Sequence, residues 1–201
     1  MGNNGFIREL EDRVRQRHVL THPLYETWTA GALTREALQG YAREYYRWVE
    51  MFPRFVSAVH SNCPNPEVRR RLLDNLSEEE RPDAPHSELW LRFAEGLGLS
   101  RQEIDSASGL AQTEWAIDTV GKITRDGSFQ EGTAALWAYE SQVPEVAIRK
   151  AEGLREHYGV TEPEALRYFT VHAEVDVDHA RQERQILEEH VRSSQQERAV
   201  S

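Results

Sequence analysis

Apolar residues recur along most of the chain at the three-to-four-residue spacing of an amphipathic helix, and the period-two alternation of half-buried strands is missing. The widest apolar face follows Thr34, a residue type that favours the N-cap position of helices. This face runs through Leu38, Tyr45 and Val59, and it includes Pro53, which is expected to kink the helix. The pattern predicts a bundle of helices without a sheet.

Proline and glycine cluster between the periodic segments and mark the ends of the predicted helices. We predict about seven helices in a single all-α domain over residues 1–192, followed by a polar, flexible tail over residues 193–201. A short turn is expected around Tyr25, and Pro144 is expected to kink one long helix. The longer predicted helices span residues 4–19, 34–62, 66–80, 87–96, 108–125, 128–158 and 164–192.

Composition and charge favour a globular protein and argue against nucleic-acid-binding and membrane proteins. Of the 201 residues 39% are hydrophobic, and five Trp, seven Tyr and six Phe are typical of a globular protein. The formal net charge of −10 disfavours nucleic acid and anionic membranes as partners. Cys63 is the only cysteine, so no disulfide forms within the chain. The first ten residues carry no signal-peptide pattern and no apolar run is long enough to span a membrane, so we expect a cytoplasmic protein.

The strongest chemical signal lies in the last predicted helix. His172, Asp176 and His179 fall at positions i, i+4 and i+7, so that their side chains point to the same side. Two imidazoles and one carboxylate on one helix face suit a first-row transition metal. The alternative is a solvated polar stripe, which the flanking valines disfavour.

Three further residues extend this set. Glu79 and His86 lie seven positions apart with two prolines between them, which on its own also fits a charged helix end. Glu140 has mostly apolar neighbours, and a carboxylate in an apolar helix needs a cation or a salt-bridge partner. Three carboxylates and three histidines from separate helices are the ligand inventory of a helical dimetal-carboxylate site. Mixed oxygen and imidazole ligands favour iron or manganese.

With these residues in place, the chain resembles the haem-oxygenase-like dimetal oxidases, whose fold is shared with the PqqC and TenA proteins, and within them the CADD group of para-aminobenzoate synthases. The resemblance covers residues 6–190 and includes the spacing of all six ligand positions. It implies a haem-oxygenase-like helical bundle. The segments that carry it are Leu24–Trp28, Glu44–Tyr46, Phe52–Pro53, Ser57–Ser61, Asp74–Leu76, Leu89–Trp90, Tyr139–Gln142 and the helix of His172, Asp176 and His179.

The resemblance implies three further roles. Tyr25 matches the tyrosine that supplies the aromatic ring, Lys150 the lysine that donates the amino nitrogen, and Tyr139 a tyrosine beside the metals that relays a radical. Each also has an ordinary interpretation, namely a core ring for Tyr25, a surface lysine for Lys150 and packing beside Glu140 for Tyr139. Lys150 is one of only two lysines, the other being Lys122.

Four functions remain open from the sequence. The first is a self-sacrificing enzyme of folate synthesis that makes para-aminobenzoate from its own Tyr25, using two metal ions (Fe/Fe or Fe/Mn), dioxygen and an external reductant. The second is a dimetal oxidase acting on a separate small molecule such as an amino acid or fatty acid. The third is a metal-free PqqC-like oxidase or a TenA-like hydrolase with Cys63 as its nucleophile, and the fourth is a non-enzymatic interaction protein. Small molecules and dioxygen are the expected partners, and a homodimer is compatible with the fold.

Overall fold

The computed structural model of the chain describes residues 4–193 and residue 200, and most of the predicted tail over residues 193–201 lies outside this part. The described residues form ten α-helices and one short 3-10 turn, with no strand, so the predicted all-α class is confirmed. None of these helices is both long and apolar enough to cross a membrane. The helices are α1 (Asn4–Gln16), α2 (Pro23–Thr29), α3 (Arg35–Asn62), α4 (Pro66–Glu79), α5 (His86–Gly96), α6 (Arg101–Asp105), α7 (Ala111–Asp126), α8 (Phe129–Glu140), α9 (Val143–His157) and α10 (Pro163–His190).

The predicted helix over residues 128–158 is in fact two helices. Helix α8 ends at Glu140 and α9 begins at Val143. Pro144 lies in the first turn of α9, where its missing N–H needs no partner, instead of kinking a helix interior. The break leaves Glu140 at the end of a helix.

The beginning of the chain also differs from the prediction. Helix α1 ends at Gln16, and Val19–Thr21 form the 3-10 turn, capped by the His18 side chain. His22 then caps α2 by accepting a hydrogen bond from the backbone N–H of Leu24 at 3.2 Å. The predicted turn around Tyr25 is therefore a seven-residue helix. The short helices α2 and α6, together with the division of the predicted helix over residues 128–158, raise the count from about seven to ten.

Two helices of 28 residues, α3 and α10, organise the bundle. Helix α10 packs against α9, α8 and α5, whereas α3 packs against α7, α4 and α5. Thr34 caps α3 as predicted, because its hydroxyl accepts a hydrogen bond from Ala37 N–H at 3.2 Å. Each long helix therefore has one face that is buried in the interior along many turns.

Trp90 of α5 joins the two long helices. Its side chain is fully buried, and its ring contacts Tyr45 of α3 and Tyr168 of α10 at centroid distances of 4.8 and 4.7 Å. Its indole N–H donates to the Ala42 carbonyl of α3 at 2.8 Å, which satisfies its only polar atom. The aromatic residues around this ring thus form one wall of the interior.

Close packing of α8 on α3 leads to a stability prediction. A Cβ atom added at Gly132 would lie 2.6 Å from Val59 Cγ2, and Val59 is completely buried. We expect Gly132→Ala to lower the free energy of unfolding by about 1–3 kcal/mol because the core must shift. Chemical denaturation followed by circular dichroism measures this change.

Gly40→Ala is the matched control, because Gly40 is also a helix-interior glycine but a Cβ there meets nothing within 4 Å. Helix propensity alone should stabilise this variant by about 0.5–1 kcal/mol. Equal stabilisation by both substitutions would contradict the tight contact between α8 and α3.

Candidate metal centre

The face of α10 predicted to carry ligands is buried. His172, Asp176 and His179 are 3%, 1% and 6% exposed. On the opposite side of the same helix, Val177 is 55% exposed and Asp178 pairs with Arg181 in solvent. The helix therefore turns its three predicted ligands inward, as the spacing required, and the solvated-stripe alternative is excluded.

Glu79 and His86 meet although a six-residue segment separates them. Glu79 is the last residue of α4 and His86 the first residue of α5. The intervening Pro82 and Pro85 turn the chain so that His86 Nδ1 lies 3.0 Å from Glu79 Oε2, with both side chains buried. The pair is thus an inner corner of the bundle and not a charged helix end.

Glu140 reaches the same region from the end of α8. Its carboxylate accepts hydrogen bonds from the Asn75 amide at 3.0 and 3.1 Å, one to each oxygen. Its Oε1 lies 3.2 Å from His179 Nδ1, and it is only 1% exposed. Asn75 therefore orients the carboxylate without neutralising its charge.

The six predicted ligands form two groups. Within each group, one candidate ligand atom per residue lies within 4.8 Å of the others, which is the spacing of atoms around one cation. The first group contains one carboxylate and two imidazoles, and the second contains two carboxylates and one imidazole. The two groups are Glu79, His86 and His172, and Glu140, Asp176 and His179.

The donor atoms are arranged to bind metal ions and not to hydrogen-bond with one another. Both ring nitrogens of His86, Nδ1 of His179 and both carboxylate oxygens of Asp176 are buried without a hydrogen-bond partner. The short approaches between imidazole and carboxylate groups therefore lack hydrogen-bond geometry, although their distances are 3.0 to 3.4 Å. Unsatisfied buried polar atoms cost about 1–3 kcal/mol each, and a shared cation would satisfy them together.

The orientation of His172 is also suited to a ligand. Its Nδ1 donates a hydrogen bond to the Tyr168 carbonyl at 2.7 Å, because a carbonyl oxygen can only accept. This bond places the proton on Nδ1 and leaves Nε2 with a free lone pair, the arrangement usual for histidines that bind metals. Burial, followed by the neighbouring His86, holds the pKa of His172 well below its usual range, which keeps the ring neutral.

Burial and, after it, repulsion among the carboxylates disfavour negative charge in this region. Burial raises the pKa of Asp176, and the nearby Glu140 and Glu79 raise it further. Burial opposes protonation of His179, but the adjacent Asp176 and Glu140 outweigh it and raise the pKa of this imidazole to about 10. Without cations, protonation of Asp176 and His179 is therefore favoured, which offsets the negative charge of the centre.

Sequence reasoning missed one buried carboxylate. Glu183 is 2% exposed, and neither of its carboxylate oxygens has a hydrogen-bond partner. It lies on α10 four residues after His179 and continues the series of His172 and Asp176 by one more turn. The same helical spacing could have identified it.

Two cavities of different size lie at and beside the ligand groups. The larger one has a volume of about 210 Å³, and Tyr25, Lys150 and Tyr139 all lie in its wall. A much smaller space of about 10 Å³, the size of one water molecule, lies among the metal ligands. Tyr139 and Tyr168 border both spaces. The three residues predicted as catalytic thus share one cavity, separated from the ligands by two phenol rings.

Lys150 is buried among aromatic rings. Its Nζ lies 4.8 to 5.0 Å from the ring centroids of Tyr25, Tyr41 and Tyr45, and it donates a hydrogen bond to Tyr41 Oη at 2.6 Å. Among residues 4–193, no carboxylate pairs with it. Burial lowers the pKa of Lys150, so its amine moves towards the neutral, nucleophilic form. The surface-lysine interpretation is therefore wrong.

The phenol groups form a continuous series between the two spaces. Tyr139 and Tyr45 share a hydrogen bond of 2.6 Å between their hydroxyl oxygens. The rings of Tyr45 and Tyr41 stack at 5.3 Å, and the Tyr41 and Tyr25 oxygens lie 3.3 Å apart. Tyr41, Tyr45 and Tyr168 were not predicted as site residues from the sequence, because their alignment arises only from packing.

The alternative nucleophile Cys63 lies elsewhere. It is buried at the end of α3, where its thiol contacts the Asn65 carbonyl. Burial raises the pKa of this thiol, which opposes formation of a thiolate. It is absent from the wall of the 210 Å³ cavity, so the structure offers no support for a cysteine hydrolase.

Comparison with known proteins identifies relatives over almost the whole chain. Residues 8–201 match the model of the TENA/THI-4/PQQC family. A 4-aminobenzoate synthase of Chlamydia muridarum is 40% identical over 183 residues, which are 91% of this chain and 78% of that protein. A 4-aminobenzoate synthase of Nitrosomonas europaea is 38% identical over 197 residues, or 94% of this chain and 80% of that protein.

Solved structures show the same fold. A domain of unknown function from Shewanella denitrificans, described as having a heme oxygenase-like fold, superposes with a TM-score of 0.77 at 18% identity and covers 96% of this chain and 83% of its own. A TenA homologue from Pseudomonas syringae superposes with a TM-score of 0.82 at 15% identity, covering 98% and 84%. The predicted haem-oxygenase-like bundle is confirmed.

The geometry of the two groups leads to a metal-binding prediction. After removal of metals with a chelator, we expect the protein to take up two Fe(II) or Mn(II) ions per chain under anaerobic conditions. Asp176→Asn removes a charged donor, so it should reduce the content to about one ion or fewer, as measured by elemental analysis.

Asp178→Asn is the matched control, because Asp178 is an exposed aspartate on the same helix whose partner is Arg181. This variant should bind two ions. Equal metal content in both variants would contradict the assignment of Asp176 as a ligand.

Proposed function

The chain belongs to the TENA/THI-4/PQQC family, and from this premise we propose that it is a dimetal oxidase that makes 4-aminobenzoate, a folate precursor, from its own Tyr25 with Lys150 as the amino donor. Relatives named 4-aminobenzoate synthase are 38% and 40% identical to it over more than nine-tenths of the chain. This level of similarity, together with the buried ligand groups, favours the same class of chemistry.

One observation carries the proposal, namely the position of the buried amine at the hydroxyl end of Tyr25. Lys150 Nζ lies 5.0 Å from the centroid of the Tyr25 ring and 2.6 Å from Tyr41 Oη, which is itself 3.3 Å from Tyr25 Oη. In 4-aminobenzoate the nitrogen occupies the ring position that carries oxygen in tyrosine. The nitrogen of Lys150 is therefore near the ring carbon to which it would become attached.

The chemical difference between tyrosine and product defines what the site must accomplish. The bond between Cα and Cβ of Tyr25 must break, Cβ must be oxidised to a carboxyl group, and the ring oxygen must be exchanged for nitrogen. Dioxygen is the oxidant of Cβ, and an external reductant supplies the remaining electrons that reduce dioxygen to water, so both are co-substrates. When the ring C–N bond forms, the ring oxygen leaves as water; the Cε–Nζ bond of Lys150 then breaks as dioxygen and the reductant convert Cε to an aldehyde. Both side chains are consumed, so that each chain would act once.

The residues that would hold the two cations are those of the two ligand groups, Glu79, His86 and His172, and Glu140, Asp176 and His179. Two transition-metal ions, either both iron or one iron and one manganese, would supply the activation of dioxygen. The first group is richer in imidazole and the second in carboxylate, so the two positions are expected to differ in metal preference.

The phenol series supports a relay role for Tyr139. Its ring borders the small space among the ligands, and its hydroxyl shares a 2.6 Å hydrogen bond with Tyr45. Burial raises the pKa of Tyr139 well above its usual range, so that the phenol keeps its proton until it is oxidised. Tyr45 and Tyr41 then continue the contact towards Tyr25, which makes stepwise transfer of an electron and a proton feasible.

The burial of Lys150, the proposed amino donor, also favours the amination of the ring. The cavity is lined mainly by apolar side chains such as Val143, Val146 and Ala147, and Lys150 is only 4% exposed. A neutral amine keeps the lone pair that attack on an oxidised ring requires, whereas an ammonium group has none. Tyr41 holds this amine towards the Tyr25 hydroxyl.

A second candidate function is favoured by the size of the cavity. Its 210 Å³ would admit a separate small molecule, with Tyr25 only part of the wall. In that case a dimetal oxidase of the same fold would act on an external substrate such as an amino acid or a fatty acid. The two functions differ in whether Tyr25 survives the reaction.

Tyr25→Phe distinguishes them. Under the proposed function this variant should yield no 4-aminobenzoate when the metal-loaded protein receives reductant and dioxygen, because the ring lacks the oxygen that is exchanged. Wild-type protein should lose mass at residue 25, as seen by intact mass spectrometry and peptide mapping.

Tyr46→Phe is the control, because Tyr46 follows Tyr45 on α3 but does not line the 210 Å³ cavity. It should retain product formation. Product from Tyr25→Phe, or product from wild type with an unchanged mass, would reject self-sacrifice in favour of an external substrate.

The origin of the amino nitrogen can be followed directly, since the chain has only Lys122 and Lys150. Protein made with 15N-labelled lysine side chains should give 15N-labelled 4-aminobenzoate, detected by mass spectrometry. Lys150→Arg should abolish amination because a guanidinium stays charged, whereas Lys122→Arg should leave the label and the yield unchanged. Unlabelled product from labelled wild type would overturn the role of Lys150.

A further inference from the structure

We infer that Glu183 is a fourth carboxylate of the metal centre and completes the ligand set of the cation held by Glu140, Asp176 and His179. The inference rests on the proposed dimetal function. It assigns a ligand beyond the six that the sequence pattern indicated.

The position of Glu183 supports this role. It lies four residues after His179 and seven after Asp176 on α10, so that it shares their inward face. It is 2% exposed, in the same range as the six predicted ligands. By contrast, Glu174 on the same helix is exposed.

Nothing else in the described part of the chain satisfies its carboxylate. Both oxygens are buried without a hydrogen-bond partner, and no arginine, lysine or histidine forms an ion pair with it there. The carboxylates of Glu140 and Asp176 are close enough to disfavour a negative charge on it. The Asn75 amide nitrogen is already engaged by both oxygens of Glu140. A cation at this position would satisfy both of these buried oxygens.

The charge balance points the same way. Glu79, Glu140, Asp176 and Glu183 together carry four negative charges when ionised, which two divalent cations would neutralise. With Glu183 included, the second group offers three carboxylates and one imidazole. Ions that favour oxygen ligands, such as Mn(II), suit such a set better than the imidazole-rich first group.

Glu183→Gln tests this inference, because glutamine has the same shape but no negative charge. Metal-free wild type and Glu183→Gln are titrated anaerobically with Mn(II), and bound ions are counted by elemental analysis. We expect the ion held by the group of Glu140, Asp176 and His179 to bind at least about tenfold more weakly in the variant. Binding of the other ion should be unaffected. Glu174→Gln serves as the matched control and should bind both ions as wild type does.

Thermal unfolding of the metal-free proteins separates a ligand from a structural residue. Removing a repelled buried charge should leave metal-free Glu183→Gln at least as stable as metal-free wild type, whereas added Mn(II) should raise its melting temperature less than it raises that of wild type. Metal affinity equal to wild type, or loss of stability without metal together with unchanged affinity, would overturn the inference. Wild type that binds no ions would instead defeat the proposed function itself.

Discussion

The structure depends on the cost of burying charge. Four helices bring four carboxylates and three imidazoles into an interior with almost no solvent access, and several of their polar atoms find no partner within the protein. Such a cluster is costly unless it takes up protons or cations. Helix boundaries follow this requirement, because Glu79, His86 and Glu140 all stand at the ends of helices, where the backbone can change direction. The bundle is therefore organised around a site that it cannot satisfy by itself.

The polar ligand region must also be kept apart from the apolar surroundings of Lys150. Groups that bind cations must be polar, whereas the Lys150 amine is buried among apolar and aromatic side chains, and the two environments lie next to each other. Tyr139 and Tyr168 separate them while their rings face both. The contact of Trp28 with α9 fixes the second environment, because its indole N–H donates to the Lys150 carbonyl at 3.3 Å. Tyr25, three residues before Trp28 on the same short helix, is thereby held at a set distance from the Lys150 side chain.

Local spacing explains which features could be predicted from the sequence. His172, Asp176 and His179 share one helix, so a period of 3.6 residues was enough to place them together. Glu79, His86 and Glu140 were also proposed as ligands, but each had an alternative interpretation, because their approach depends on how three helices pack. The break at Ser141 and the helix around Tyr25 were missed because proline in a first turn and histidine caps have weak signals. The stacking of Tyr41 and Tyr45 over Lys150 arises from packing between distant segments, which no local pattern records.

The fold can also survive loss of the ring that the proposed function consumes. Tyr25 is half-buried at the edge of a cavity, and it is absent from the fully buried core. Helix α2 is held instead by Trp28, which is 1% exposed and whose carbonyl accepts a hydrogen bond from Tyr158 Oη at 3.0 Å. Removal of the Tyr25 side chain would therefore enlarge an existing cavity without removing the contacts that fix the helix. A residue that is to be spent in a reaction must be close to the chemistry but not needed for stability, and the position of Tyr25 meets both conditions.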